Sequence, residues 1–152
     1  MANKLYVLDA NVFLEYIFDR PLGEISRYII SDAILEKIDI ILPSLVLDEI
    51  TEVLCGNLNS IEELGSHLRY IEKLAKEEII KIVVPNTEVR MKAIEIARVG
   101  HKKSGYPELT DSLYHSLAIL NNAVFITNDK KYISKVKSIG HVQELSRYSG
   151  QA

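Results

Sequence analysis

Apolar and polar positions along the chain switch between two periodicities, and the switches mark out the elements. Lys4 to Leu8 (K-L-Y-V-L) is a short β-prone apolar run that stops at Asp9, the pattern of a buried strand. Asn11 to Phe18 follows as a short helix, closed by Asp19-Arg20-Pro21. A second helix covers Glu24 to Lys37, with Ile25, Tyr28, Ile29, Ile34 and Ile38 at helical spacing. Asp39 to Leu42 is the next strand. Pro43-Ser44 then opens a helix to about Leu58, with Leu45, Val46, Ile50, Val53 and Leu54 on its inner face.

Asn59-Ser60 supplies capping chemistry for an amphipathic helix from Ser60 to Glu77, where Ile61, Leu64, Leu68, Ile71, Leu74 and Ala75 recur every three or four residues. Ile79 to Val84 is a third strand, stopped by Pro85. A helix from Thr87 to Lys103 turns Val89, Ala93, Ile96, Ala97 and Gly100 inward, and Gly105-Tyr106-Pro107 breaks it. Thr110 is the predicted cap of a helix reaching Asn121, and Ala123 to Thr127 (A-V-F-I-T) is a fourth strand. A basic helix spans Asp129 to Ile139, and a short strand is expected near His141-Val142.

Strands that alternate with helices predict an α/β fold: a parallel sheet of four or five strands covered on both faces. No repeat, low-complexity tract or linker divides the chain, so residues 1–150 read as a single domain. In such sheets ligands bind beyond the carboxyl ends of the strands, so the residues just after each strand are where chemistry is expected.

Composition narrows the picture further. Hydrophobic residues make up 47% and charged residues 26%, values that place the chain among ordinary soluble domains. The apolar stretch from Leu5 to Phe18 is broken by Asp9, Asn11 and Glu15, which argues against a targeting segment or membrane span, and a cytoplasmic location is expected. Cys55 is the only cysteine, so intramolecular disulfides and a cysteine-rich zinc site are excluded; it reads as a small buried apolar side chain. The net charge is −3, yet Asp129 to Ala152 carries five basic and two acidic residues, leaving −6 on the preceding part. An acidic body beside a basic end suits a site that binds cations next to a surface that tolerates phosphates.

Four carboxylates stand at the positions the architecture favours. Asp9 ends the first strand, Asp129 follows the fourth, Asp111 lies in the first turn of its helix, and Glu49 lies about one and a half turns into its own. An acid that closes a buried apolar strand is expensive without a role, which makes Asp9 the firmest candidate on physical grounds. Each of the others has an ordinary reading: Asp111 as a first-turn acid, Asp129 as a helix cap, and Glu49 as a solvated helix charge beside Asp48. Together, like charges at one end of a sheet call for a cation, and all-oxygen donors suit Mg²⁺ or Mn²⁺. Such an ion activates water and neutralises a phosphodiester, so the chemistry points to phosphodiester hydrolysis.

The run L-D-A-N-V-F-L at the start, P-S-L-V-L-D-E, L-T-D-S-L-Y-H-S-L-A and A-V-F-I-T-N-D near the end resemble the PIN-domain nucleases, especially their VapC-like toxin branch. The resemblance covers nearly the whole chain and implies a three-layer α/β/α fold. It also implies that Asp9, Glu49, Asp111 and Asp129 bind a divalent metal, supported by Asn11, Ser44 and Thr127. Glu49 rests mainly on this resemblance. The implied activity is a metal-dependent ribonuclease acting on single-stranded or structured RNA, with a homodimer and an antitoxin as partners. Tyr16, Phe18, Leu22 and Ile25 are candidate groove residues for that antitoxin. One departure is the Tyr114-His115-Ser116 triplet, where many relatives carry small apolar residues.

Lys130 and Lys131, beside Asp129, and Lys102 and Lys103 are candidate contacts for an RNA backbone, although a solvated charged face is the default for such pairs. His67, His101, His115 and His141 show no paired ligand spacing and read as surface or boundary residues, with His115 one turn after Asp111 able to border the site. Other folds with an acid after the first strand fit poorly. A haloacid-dehalogenase-like phosphatase needs a second Asp where Asn11 stands. A response-regulator receiver needs paired early acids and a late lysine. A dinucleotide-binding fold needs a glycine-rich turn where Ala10-Asn11-Val12 lies. A catalytically idle protein-binding relative and an RNA-processing nuclease without an antitoxin are the remaining alternatives.

Overall fold

A computed structural model of the chain describes residues 2–99 and 105–150. Strand β1 (Lys4–Leu8) lies at the centre of a five-stranded sheet, with β2 (Ile38–Pro43) on one side and β4 (Val124–Thr127) on the other. The edges are β3 (Lys81–Val83) and β5 (Val142–Glu144), in the order β3-β2-β1-β4-β5, and every pairing is parallel. The sheet is thus wholly parallel and has five strands, the upper of the two numbers the periodicity allows. Tyr6, Val7 and Leu8 are all fully buried, as a strand covered on both faces requires.

The helices that connect these strands are α1 (Ala10–Ile17), α2 (Gly23–Ile34), α3 (Leu45–Asn57), α4 (Ile61–Lys76), α5 (Thr87–Val99), α6 (Leu109–Leu120) and α7 (Lys130–Val136). Helix α6 covers one sheet face, where the ring of Tyr114 stacks on Phe125 at 5.6 Å and 15°. Helix α2 covers the opposite face. There a turn of 3-10 helix (Leu145–Arg147) delivers Tyr148 onto Tyr6, edge-on at 5.7 Å, and the Tyr148 hydroxyl donates to Asp32 Oδ2 on α2 at 2.5 Å. Gly23 lets α2 start hard against α1: a Cβ there would stand 2.7 Å from the Glu15 carbonyl oxygen.

Several sequence expectations are corrected. Thr110 does not cap α6. The extended Glu108 occupies that position, its carbonyl accepting both the Ser112 N–H (3.0 Å) and the Ser112 hydroxyl (2.8 Å), so the helix begins one residue before Thr110. Ser60 does cap α4, accepting the Glu63 N–H at 3.2 Å. Burial grows along that helix, from Ile61 at 85% exposure through half-buried Leu64 and Leu68 to buried Ile71 and Leu74, so Ile61 is no core residue. Tyr28 and Ile34 on α2 and Cys55 on α3 are also exposed, because each helix buries only one face against the sheet. The fifth helix starts at Thr87 as expected, and its predicted C-terminal end, including Gly100, lies outside the described residues.

Candidate active site

The chain runs outward from β1 through β2 to β3, then crosses back to lay β4 on the other side of β1. The strand order therefore reverses between β1 and β4, which is where an open α/β sheet forms its ligand crevice. Asp9 and Asp129 flank that point, one directly after β1 and the other two residues after β4.

Asp9 is 4% exposed and caps α1, its Oδ1 accepting the Asn11 N–H at 3.4 Å. Its Oδ2 accepts the Thr127 hydroxyl at 2.7 Å across the strand pair. That hydroxyl oxygen also accepts the Asp129 N–H at 3.1 Å, so the buried Thr127 holds both strand-end acids in one arrangement. Asp129 in turn caps α7, Oδ1 accepting the Tyr132 N–H at 3.0 Å. Helix α6 contributes Asp111 from its first turn, and α3 contributes Glu49, whose Oε1 accepts a short hydrogen bond from the Tyr114 hydroxyl.

The electrostatics tie the four together. Burial pushes the Asp9 carboxyl above its ordinary range, against the hydrogen bonds from Thr127 and the α1 backbone, and Asp129 adds to the rise. Burial also raises Glu49, opposed by the Tyr114 hydroxyl and reinforced by Asp9. Asp111 is lifted from 3.8 to about 7, chiefly by burial and then by Asp9, Asp129, Glu108 and Glu49. No hydrogen bond reaches the Asp111 carboxylate among the described residues, and every neighbouring charge that acts on it there is an acid that raises it further. The donor set, all carboxylate oxygens, fits a hard divalent ion. Among the described residues, no three Asp, Glu, His or Cys side chains close on one point as a ready-made ligand set.

The other expected residues divide. Asn11 supports Asp9 through its backbone N–H. Ser44 precedes α3 in helical conformation without a capping hydrogen bond; its N–H ties β2 to the Val83 carbonyl at 2.8 Å, a structural contact. Lys130 and Lys131 are exposed at the start of α7, and Lys130 Nζ lies 3.6 Å from Glu144 Oε1. Lys102, Lys103 and His101 lie outside the described residues.

His115 is neither a surface nor a boundary residue: it is fully buried, with Nε2 on the Gly140 carbonyl at 2.7 Å and Nδ1 on the Tyr132 hydroxyl at 2.9 Å. A carbonyl only accepts, which puts the proton on Nε2 and leaves Nδ1 to accept from Tyr132. Burial lowers the His115 pKa and keeps the ring neutral. It thereby ties α6 to α7 instead of bordering the crevice.

Two supporting residues escaped the sequence reading. Glu15 is buried, its Oε1 accepting from Asn128 Nδ2 at 3.0 Å and its Oε2 from the Leu22 N–H at 3.2 Å, so it anchors the residue between Thr127 and Asp129. Its place one turn after Asn11 in an otherwise apolar helix was the available signal. Tyr114 stands one turn after Asp111, but nothing local shows that its hydroxyl crosses to α3.

The fold and crevice define a class: a parallel α/β domain whose ligand end is built from carboxylates at the strand-order reversal. A PIN domain family model matches residues 6–138, and the chain belongs to that family. Solved structures with similar folds include VapBC2 from Rickettsia felis bound to a promoter DNA fragment (TM-score 0.69, 21% identity, 92% of this chain and 98% of that one). VapBC-1 from nontypeable Haemophilus influenzae matches with TM-score 0.66 and 19% identity over 94% and 99%. A toxin–antitoxin complex from Klebsiella pneumoniae matches with TM-score 0.60 and 13% identity over 92% and 97%. No curated protein sequence matches the chain at a significant level. No helix of the described residues is long and apolar enough to cross a membrane.

Proposed function

We propose that the chain is a Mg²⁺- or Mn²⁺-dependent ribonuclease that hydrolyses phosphodiester bonds of single-stranded or structured RNA, and that it is the toxin of a toxin–antitoxin pair. The observation that carries this reading is the group of mutually destabilised carboxylates at the strand-order reversal, led by Asp9 and Asp111. Membership of the PIN domain family supports a nuclease, and the toxin–antitoxin complex among the similar structures supports an antitoxin partner.

Asp9 and Asp111 would hold the cation, and Glu49 and Asp129 would complete its surroundings. A divalent ion there supplies a Lewis acid that neutralises phosphodiester charge and acidifies water. The remaining work falls to the chain. Thr127 fixes Asp9 Oδ2 and the Asp129 backbone, Tyr114 fixes Glu49 Oε1, and the Asn128–Glu15 contact holds the loop between them. A carboxylate whose proton affinity lies at about 7, as in Asp111, is matched to taking a proton from water at neutral pH.

The antitoxin's groove would be lined by half-buried Tyr16 on α1, Ile25 on α2, and Phe18 and Leu22 in the turn between them, where Tyr16 also stacks on Tyr70 at 6.2 Å. A homodimer is the expected assembly and the cytoplasm the expected location.

The test is Mn²⁺ calorimetry with cleavage of single-stranded RNA, before and after Asp9→Asn. The parent binds the ion and cleaves, and the variant keeps its circular dichroism but does neither. A parent that binds no Mn²⁺ would make the chain an idle binding module, and undiminished cleavage by the variant would overturn the mechanism.

A further inference from the structure

The four acids create a problem for a substrate that is itself a polyanion, because the crevice repels phosphates except where a cation sits. The protein as a whole is also acidic, at −3. Positive charge is gathered instead in a concavity of about 750 Å³ at the β5 edge of the sheet, lined from β1, β4, β5, the end of α7 and the segment after β5. Lys4, Lys137 and Arg147 line it together with His141. The one acid in its wall, Glu144, is engaged by Lys130 at 3.6 Å. Lys4 is held there with its ammonium 5.5 Å above the Tyr6 ring. The Nδ1 of His141 lies 2.9 Å from the Ala123 carbonyl and must donate to it, which leaves Nε2 as an acceptor, a partner for a ribose hydroxyl and not for a phosphate oxygen.

One end of the concavity approaches the site: Glu144 pairs with Thr127 in the β4–β5 ladder, and Thr127 holds Asp9 and the Asp129 backbone. The concavity's upper end is Glu144, whose partner Lys130 directly follows Asp129, and its lower end is His141, just before β5. Three strand residues at about 3.3 Å each make it roughly 10 Å long. A strand of duplex DNA carries one phosphate per about 3.4 Å, and at that spacing about three nucleotides span it.

We propose that this concavity is a binding track for the backbone of a single-stranded RNA whose scissile bond lies at the carboxylates. The proposal rests on the ribonuclease reading above. Lys130 receives the strand as it leaves the crevice, and Lys137, Arg147 and Lys4 take its next phosphates. An acidic peptide also fits the charge, but only a strand anchored in the crevice uses the approach of the Glu144 end to Lys130 and Thr127.

The test measures fluorescence anisotropy of a labelled uridine oligonucleotide, nine nucleotides long, in the cleavage-deficient Asp9→Asn background. Adding K137E and R147E should weaken the nonamer at least tenfold, whereas K73E with K76E, the same charge change on exposed lysines of α4, should leave it nearly unchanged. Losing two phosphate contacts should also reduce the log–log salt slope of nonamer binding by about 1.4. Circular dichroism checks the fold, and K137A with R147A should show a smaller loss in the same direction.

Equal nonamer binding with and without the charge reversals overturns the track. Equal weakening by K73E with K76E also overturns it, since that is a general field effect, and so does displacement of the nonamer by polyglutamate at lower concentration than by unlabelled RNA. The two readings fail separately. With Asp9 restored, cleavage at an unchanged KM in K137E/R147E removes the track and keeps the nuclease, whereas charge-dependent binding without cleavage removes the nuclease and keeps the track.

Discussion

Replacing Asp111 with Asn should stabilise the cation-free protein, by an amount that grows as pH rises from about 4 to about 7 and is full above that. Burial and four neighbouring acids lift this carboxyl from 3.8 to about 7. Between those values the folded chain keeps a proton that the unfolded chain has lost, so stability falls as pH rises through the window and levels off above it. A rise of about three pH units at about 1.36 kcal/mol each corresponds to about 4 kcal/mol. Asp111 is only partly buried, and solvent screening roughly halves that, to about 2 kcal/mol. In a domain of this length that moves the melting temperature by about 4–8 °C.

The assay is urea unfolding in EDTA at pH 4.5 and pH 8, for the parent and Asp111→Asn. The comparison with the variant is essential because His115 works in the opposite sense. Its lowered pKa gives stability that is lost as pH falls below the ordinary 6.5. The variant should gain about 2 kcal/mol over the parent at pH 8 and little at pH 4.5. Adding Mn²⁺ at pH 8 should then stabilise the parent much more than the variant. Parallel pH curves, or a variant no more stable than the parent at pH 8, would refute the reasoning.

Tyr114→Phe keeps the ring stacked on Phe125 but removes the donor to Glu49, so Mn²⁺ affinity by calorimetry should fall about tenfold, or ~1.4 kcal/mol, with the melting temperature little changed. An unchanged affinity would show that Glu49 stands apart from the cation. His115→Ala opens a buried cavity and removes a partner from the Tyr132 hydroxyl and from the half-buried Gly140 carbonyl, and should cost about 3 kcal/mol in urea unfolding at pH 8. The same substitution should remove the parent's loss of stability below pH 6.5, and a variant that keeps that loss would reassign it to another group.

What could be read from the sequence depended on whether the deciding contact was local. β1 was legible because a strand buried on both faces must be apolar throughout, and the acid that ends it stands out against that run. The same logic gave β4 and the position of Asp129. Contacts across the chain were not legible. Thr127 reaches Asp9 over 118 positions, Tyr114 reaches Glu49 over 65, and Asn128 reaches Glu15 over 113. His115 was misjudged because a polar ring on a helix face looks like a surface residue until both nitrogens find partners, and these lie 17 and 25 positions downstream. Cys55 failed in the opposite direction. An apolar preference says nothing about which face of α3 meets the sheet.

These long-range contacts bear on how the site is held together. The acids oppose one another, so the fold must bear their repulsion by means other than packing. Thr127 grips Asp9 and the backbone of Asp129, and Tyr114 grips Glu49, while Asp111 receives no hydrogen bond among the described residues. The carboxylate without such support is also the one lifted to about 7. That follows physically, because hydrogen bonds to the charged form lower a carboxyl's proton affinity, and Asp111 lacks the compensation that Asp9 and Glu49 receive. Its charge is therefore the one a bound cation would stabilise most, which is why Asp111 should couple pH, cation binding and stability more strongly than its neighbours.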